Sequence, residues 1–212
     1  MEQATRALFD KRGEILVKAL QKRHFEAYYC ASKDEALKQV LDLIPEGSTV
    51  GWGGAVSAAQ VGVQEAVNAG NYNVIDRDQF SDPAEKLRCM RECFDADYFI
   101  TGANAISLDG QMGNIDGNGN RVGMIVYGPK HIIVVAGMNK GCPSIEDAVK
   151  RARTVAAPMN QQRFGLPNPC TCTGVCADCL TETSICNQIL ITRNCKPAGR
   201  IKFVLVGEEL GF

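Results

Sequence analysis

The spacing of hydrophobic and polar residues predicts that helices and strands alternate along the chain up to Ala157. Apolar positions recur at helical intervals within residues 1–24 and again within KDEALKQVLDLI, for which Ser32 is a suitable N-cap. Between the predicted helices lie short apolar runs such as STVGW, DYFITGAN and HIIVVAG, which are typical of buried strands. This order predicts an α/β fold with a Rossmann-like, mostly parallel sheet covered by helices.

The pattern changes in the last quarter of the chain. Residues 158–186 are rich in Pro, Cys, Asn and Thr and show no helical or strand periodicity. The runs NQILITRN and RIKFVLVGE then predict two strands, joined as a terminal hairpin within residues 187–212. Residues 1–212 are therefore predicted to form a single domain with a cysteine-rich segment before the hairpin.

Composition and charge exclude several classes of protein. The 212 residues carry a formal net charge of −1, and the isoelectric point is about 6.1, so the chain has no general attraction to nucleic acid. It has no apolar run long enough for a membrane span and no secretory leader at its start. We therefore expect a cytoplasmic protein with neither a nucleic-acid nor a membrane partner.

Two glycine-rich stretches follow predicted strands, where open parallel sheets bind their ligands. The first, VGWGGAVS, fits either an anion site or a tight turn into a helix. The second, residues 101–123, sets short hydrogen-bonding side chains among glycines and suits hydroxyl or carboxylate groups, or turn formation alone. Lys140, beyond the end of HIIVVAG, is a candidate anion partner or a surface charge.

These stretches give a set of candidate residues for a small anionic metabolite. The predicted ligand-binding residues are Gly51, Gly53, Gly54, Ser57, Gly102, Asn104, Asp109, Gly110, Asn114, Asp116, Gly119, Asn120, Arg121 and Lys140. Among them, Asp109, Asp116 and Lys140 carry groups that can exchange a proton near neutral pH when their surroundings shift them, which makes them the candidate catalytic residues.

Five of the ten cysteines lie in CTCTGVCADCLTETSIC, from Cys170 to Cys186. The pair Cys176 and Cys179, with two residues between them, has a spacing that can place two thiolates on one metal. In the expected cytoplasmic location disulfides are uncommon, which favours a metal site over free thiols or a disulfide. Four thiolates suit either zinc or an iron–sulfur cluster.

The chain from DADYFITGANAISLDG through ARTVAAPMN to the cysteine segment resembles the lactate-utilization (LUD) domain family in its short form. The resemblance covers most of the chain and implies a fold related to ribose-phosphate isomerases, glucosamine-phosphate deaminases and CoA-transferases. It picks out Cys170, Cys176, Cys179 and Cys186 as metal ligands, with Cys172 as the extra cysteine. It also implies redox assemblies, which favours [4Fe–4S] over zinc.

The resemblance implies a redox accessory protein or oxidoreductase subunit in lactate or other organic-acid utilization, with iron–sulfur partner subunits. Asn104 stands where certain related sugar-phosphate isomerases have a catalytic aspartate, and an asparagine cannot act as a general base. Two alternatives remain: an isomerase- or transferase-like enzyme acting on a phosphorylated or CoA-linked molecule with structural zinc, and a non-catalytic ligand-binding or scaffold protein. The apolar strands are compatible with a homodimer as well as with core burial.

Overall fold

A computed structural model describes residues 2–212, within which the strands form two sheets. The strands are β1 (Glu26–Cys30), β2 (Thr49–Trp52), β3 (Asn73–Ile75), β4 (Tyr98–Thr101), β5 (Ala105–Ser107), β6 (Met112–Asp116), β7 (His131–Gly137), β8 (Gly141–Cys142), β9 (Gln188–Thr192) and β10 (Ile201–Val206). The larger sheet is parallel throughout, in the order β1-β10-β7-β4-β2-β3. The smaller sheet has the order β8-β5-β6-β9 and is mixed.

Helices cover both faces of the larger sheet. They are α1 (Gln3–Lys22), α2 (Lys33–Asp42), α3 (Val56–Val61), α4 (Val63–Ala69), α5 (Pro83–Glu92), α6 (Asn120–Tyr127), α7 (Ile145–Arg151), α8 (Ala157–Phe164) and α9 (Pro169–Thr173). A π-helical stretch over Ala152–Ala156 joins α7 to α8. Within residues 2–212, no helix combines the length and apolar character that a membrane span requires.

The core lies on the two faces of the larger sheet. Phe203 and Leu205 of β10 are buried with residues of α1 and α6, whereas Val204 and Val206 are buried with residues of α2, α3 and α4. This alternation follows from the two-residue period of a strand, and burial on both faces explains why the central strands are almost continuously apolar. The predicted parallel α/β architecture is thereby confirmed.

Local signals in the sequence determine where several helices begin. The hydroxyl of Ser32 accepts a hydrogen bond from the backbone N–H of Glu35 (3.3 Å) and caps α2 as predicted. Asp82 caps α5 in the same way, with Pro83 in its first turn, and Ser144 caps α7. These contacts fix the helix ends against the strand ends that precede them.

The predicted terminal hairpin is wrong. β9 pairs antiparallel with β6 in the smaller sheet, whereas β10 lies between β1 and β7 in the larger one. The difference follows from burial, because β10 is covered on both faces and β9 is largely exposed. The cysteine-rich part of the chain also contains more regular structure than its sequence indicates, since α8 and α9 occupy part of it.

Candidate functional site

A cleft of about 560 Å³ opens at the carboxyl ends of β2, β4 and β7. Its inner lining comes from the turns that follow these strands: residues 52–56, residues 103–104 and Lys140. Residues 115–118, at the end of β6 of the smaller sheet and in the turn after it, form a second side. The volume lies in the range of small-molecule sites, and the position is the one at which open α/β sheets bind ligands.

Arg121, in the first turn of α6, points its guanidinium into the inner end of the cleft. Its Nη2 donates to the side-chain oxygen of Asn104 (2.8 Å) and to the backbone oxygen of Ile115 (2.6 Å). Burial lowers the pKa of Arg121, while the charge of Asp116 opposes that shift. Since arginine stays protonated in proteins, the cleft holds a fixed positive charge.

Gly54 allows Arg121 to approach the backbone. A Cβ at this position would lie 2.7 Å from Cδ of Arg121, and the backbone angle φ of Gly54 is +60°, in the left-handed region. Any other residue would both clash with the guanidinium stem and strain the turn. The glycine therefore positions the arginine.

Asn104 holds two arginines in place. Its side-chain oxygen accepts from Arg121 and from the backbone N–H of Ile115 (2.8 Å). Its backbone oxygen accepts from Nη1 of Arg151 (2.6 Å), while its N–H donates to the side-chain oxygen of buried Asn114 (3.3 Å). A neutral amide at position 104 can accept from Arg121 without neutralising its charge, whereas a carboxylate here would form an ion pair with it.

Lys140 is the second cationic side chain at the inner end. Its Nζ donates to the hydroxyl of Ser57 (3.0 Å), which is its one hydrogen-bond partner among residues 2–212. Only 4% of Lys140 is exposed. Burial, with a further contribution from the charges of Arg151 and Arg121, lowers the pKa of Lys140 to about 7. Lys140 therefore carries a charge that changes near neutral pH.

The carboxylate of Asp116 is paired with backbone N–H groups, unlike the cationic side chains of Arg121 and Lys140. One carboxylate oxygen, Oδ2, accepts the backbone N–H groups of Arg121 (3.0 Å) and Val122 (3.1 Å) at the start of α6. These bonds satisfy donors that a helix N-terminus leaves unpaired. Asp116 lines the cleft, but it also orients the turn that carries Arg121.

The structure brings most of the predicted ligand-binding residues together. Those that line the cleft are Gly53, Gly54, Asn104, Asp116, Asn120, Arg121 and Lys140. Ser57, Gly102 and Asn114 lie directly behind them: Ser57 contacts Lys140, Gly102 donates its N–H to the backbone oxygen of Gly54 (3.2 Å), and Asn114 contacts Asn104. Gly51, within β2, and Gly119, at the N-cap of α6, do not line the cleft.

Asp109 and Gly110 lie elsewhere, at the turn between β5 and β6. Asp109 accepts from Nη2 of Arg23 (2.6 Å), from Gln111 Nε2 (2.9 Å) and from the hydroxyl of Ser107. Although partial burial opposes them, these bonds lower the pKa of Asp109. Gly110 packs against the backbone of Ala19 in α1. Neither residue joins the other candidates at the cleft.

Several residues that line or support the cleft have no signal in the sequence. Arg151 sits among the other charged residues of a predicted surface helix, and only the fold shows that it reaches Asn104. The outer lining from α8, at Ala157, Asn160, Arg163 and Phe164, lies in a part of the chain without periodicity. The π-helical turn before α8 ends at this lining, as such turns often do near functional sites.

The four cysteines singled out by the family resemblance lie close together. Burial and the neighbouring thiols of Cys176, Cys170 and Cys179 raise the pKa of Cys186, and burial with Cys179 and Cys176 raises that of Cys170. All are free thiols, and Cys172 is exposed and absent from this group. Within residues 2–212, however, no three His, Cys, Asp or Glu side chains converge closely enough to form a metal site.

The cysteine segment, residues 170–186, also forms one wall of the cleft through residues 182–185. Buried Asn168 anchors this wall: its side chain donates to the backbone oxygen of Thr183 (3.1 Å) and accepts from the hydroxyls of Thr181 and Thr183. The backbone of Ile185 packs on Gly117, where an added Cβ would lie 3.1 Å from Cα of Ile185. The wall thus rests on the turn between Asp116 and Arg121.

Comparison with known proteins gives one family and several similar structures. The model of the LUD domain family matches residues 13–206. The chain is similar to a duf162 family protein from Deinococcus radiodurans, with 13% identity and a TM-score of 0.49 over 95% of this chain and 97% of that one.

Two further solved structures show partial similarity. Ribose 5-phosphate isomerase A from Methanocaldococcus jannaschii has 17% identity and a TM-score of 0.34, covering 53% of this chain and 55% of its own. A translation initiation factor, eIF-2B, from Pyrococcus horikoshii OT3 has 20% identity and a TM-score of 0.36, covering 53% and 48%. No curated protein sequence gives a significant match.

Proposed function

The chain belongs to the LUD domain family, and from that premise we propose that it binds a small organic anion in the cleft as a redox accessory protein of lactate-type organic-acid utilization. The observation that carries this proposal is the inner end of the cleft. Arg121 and Lys140 line it, and neither forms an ion pair with a carboxylate among the described residues. Partly or fully buried cations need a counter-charge, which a bound anion supplies.

The chemistry of the inner cleft favours a carboxylate. The guanidinium of Arg121 supplies charge-assisted N–H donors, which form short and strong hydrogen bonds with a carboxylate. Nη2 uses both of its N–H groups on Asn104 and Ile115, which hold the guanidinium before the ligand arrives, so Nη1 and Nε are the groups left to donate to the ligand. A hydroxyl on the adjacent carbon of a 2-hydroxy acid would have Asn104 and Lys140, which line the same cleft, as polar partners.

The second part of the proposal is a metal centre in the cysteine segment, beside this anion site. Cys170, Cys176, Cys179 and Cys186 are free thiols within one segment, and they lie near one another. As thiolates they would hold a [4Fe–4S] cluster, which supplies one-electron transfer, or a zinc ion, which supplies structure alone. We favour the cluster, with iron–sulfur partner subunits, because the family resemblance points to redox assemblies.

A second candidate function is supported by the outer part of the cleft. The volume of about 560 Å³ exceeds what a three-carbon acid fills, and Arg77, Arg163 and Phe164 line the outer end. These residues suit a phosphorylated or CoA-linked molecule, as in an isomerase- or transferase-like enzyme with structural zinc. The affinity for a ligand of this class would depend on Arg163 as much as on Arg121.

The test is a titration of sodium lactate into the purified full-length protein by calorimetry, with two matched variants. Arg121→Met should weaken lactate binding by about 30-fold, because it removes a charge-assisted bond at a partly buried site. Arg163→Met should change the affinity by about threefold or less, because Arg163 is exposed and stacks on Phe164. Equal losses in both variants, or no binding of lactate to the parent protein, would contradict the proposal.

A further inference from the structure

Lys140 is the lysine of residues 2–212 that the fold buries completely. Other lysines form ion pairs with carboxylates: Lys202 pairs with Glu26, and Lys130 pairs with Asp97. Lys140 lines the cleft, and its amine instead donates to the hydroxyl of Ser57, which lies directly behind the cleft wall. Burying an amine without a counter-charge lowers the stability of the fold, so stability does not explain why Lys140 is buried.

The surrounding backbone holds the Lys140 amine in one place. Lys140 ends a single 3₁₀ turn (Met138–Lys140) directly after β7, the central strand next to β10 and β4. The chain near its end passes over the amine, since a Cβ on Gly211 would lie 3.0 Å from Nζ of Lys140 and 2.7 Å from the hydroxyl of Ser57. The amine is therefore positioned by rigid elements rather than by a flexible loop.

The electrostatic surroundings favour the free amine. The charged groups that act on Lys140 are the guanidinium groups of Arg151 and Arg121, and together with burial they hold its pKa near 7. A large fraction of Lys140 is thus unprotonated at neutral pH, whereas an exposed lysine is almost entirely protonated. Neutral lysines made in this way, by burial beside another cation, are nucleophiles toward carbonyl carbon.

The ligand that suits both side chains is a 2-oxo acid. Its carboxylate would accept hydrogen bonds from the free N–H groups of Arg121, and the ketone on its adjacent carbon would be the group that Lys140, in the same cleft, can attack. We propose that Lys140 forms a covalent imine with a 2-oxo acid held in the cleft by Arg121. This inference rests on the proposed function, since it requires the cleft to bind a small carboxylate.

The step balances within the site. The lone pair of Nζ attacks the carbonyl carbon and forms a C–N bond, while the electrons of the C=O bond move to oxygen. A proton passes from nitrogen to that oxygen, and the hydroxyl group then leaves as water when a second proton is supplied. The product is a protonated imine, and no oxidant or reductant is consumed.

The test traps this imine by reduction. Full-length protein is incubated at neutral pH with pyruvate and sodium cyanoborohydride, and the adduct is identified by intact mass and peptide mapping. We expect one reduced pyruvate unit, on Lys140, formed at least about 100-fold faster than on an exposed lysine such as Lys130, because far more of its amine is unprotonated. Saturating lactate, which has no carbonyl carbon to attack, should slow the trapping.

Two variants and a separate binding measurement keep the outcomes distinct. Lys140→Arg and Lys140→Met should lose the adduct, and Lys130→Arg should keep it. If lactate binds in an Arg121-dependent manner but pyruvate is not trapped on Lys140, the imine is refuted and the proposed function stands. If lactate does not bind and adducts are spread over surface lysines in parent and Lys140→Arg alike, both fail.

Discussion

The inner cleft and the cysteine segment share a wall, but they differ in what holds them in place. In the cleft, Arg121 and Asn104 are fixed by hydrogen bonds to each other and to the backbone of Ile115, on turns that leave well-packed strands. Residues 174–187 have no regular secondary structure, and side chains such as Asn168 and Asn187 tether them.

This difference indicates which interactions order the backbone and side chains of each region. The cleft is arranged before a ligand binds, because its polar groups satisfy one another and its strands are buried on both faces. The cysteine segment contributes few residues to the hydrophobic core, so four thiolates on a metal would supply the order that packing does not. Any change to the metal ligands should therefore act on the segment first and on the cleft second.

The largest expected effect is on the metal content of the protein. Cys179→Ser should reduce the metal content of anaerobically purified protein from a full site to background, because a four-thiolate site loses its geometry when one ligand is lost. Hydrogen exchange of residues 182–185 should become faster, while that of the larger sheet stays unchanged. Cys172→Ser is the matched control and should keep the metal; an equal loss in both variants would refute the assignment of ligands.

The next effect concerns the cost of burying Lys140. Its pKa is lowered from 10.5 to about 7 in the folded protein, so the unfolded chain binds more protons between these values. The stability of the parent protein should accordingly rise with pH from about 7 to about 10.5 through this group. Lys140→Met removes that term and should stabilise the protein by up to about 4 kcal/mol at pH 7.

Urea unfolding of the parent protein and Lys140→Met at several pH values measures this term as a difference between the two. The gain in stability should shrink as the pH rises above 7, since the parent no longer has to bury a charge. A difference in stability that does not depend on pH would show that the amine is not held neutral by the fold.

The smallest effect is expected at Asp109, which marks the boundary of the site. Asp109→Asn removes a partly exposed ion pair with Arg23, and it should cost about 1 kcal/mol or less of stability. Lactate affinity should stay unchanged, because Asp109 does not line the cleft. A loss of affinity similar to that of Arg121→Met would place Asp109 in the binding site after all.

The sequence predicts those parts of the fold that depend on neighbouring residues. Apolar runs identify the parallel strands, and Ser32, Asp82 and Ser144 identify where helices begin, because capping is a contact over three residues. The pairing of β9 and β10 is not a local property. Two adjacent apolar runs look like a hairpin, although each finds its partner far away in the chain.

The same limit explains why the candidate residues separate in the structure. Residues 101–123 form one glycine-rich polar run in the sequence, and β5 and β6 form an antiparallel pair within it. Asn104 precedes this pair and Asp116 ends it, so both lie at the cleft, whereas Asp109 lies at the opposite turn. Polar residues in a glycine-rich run indicate a site, and only strand pairing decides which of them reach it.

In the proposed function, the occupancy of the thiol site affects ligand binding in the cleft, because residues 182–185 belong to both. The most direct test measures metal content, absorption spectrum and lactate affinity on one anaerobically purified sample, before and after chelation. We expect a [4Fe–4S] spectrum and a lactate affinity that falls by about 3- to 10-fold when the metal is removed, as for coupled sites. An affinity unchanged after complete metal removal, or a folded protein that never holds a metal, would contradict this account.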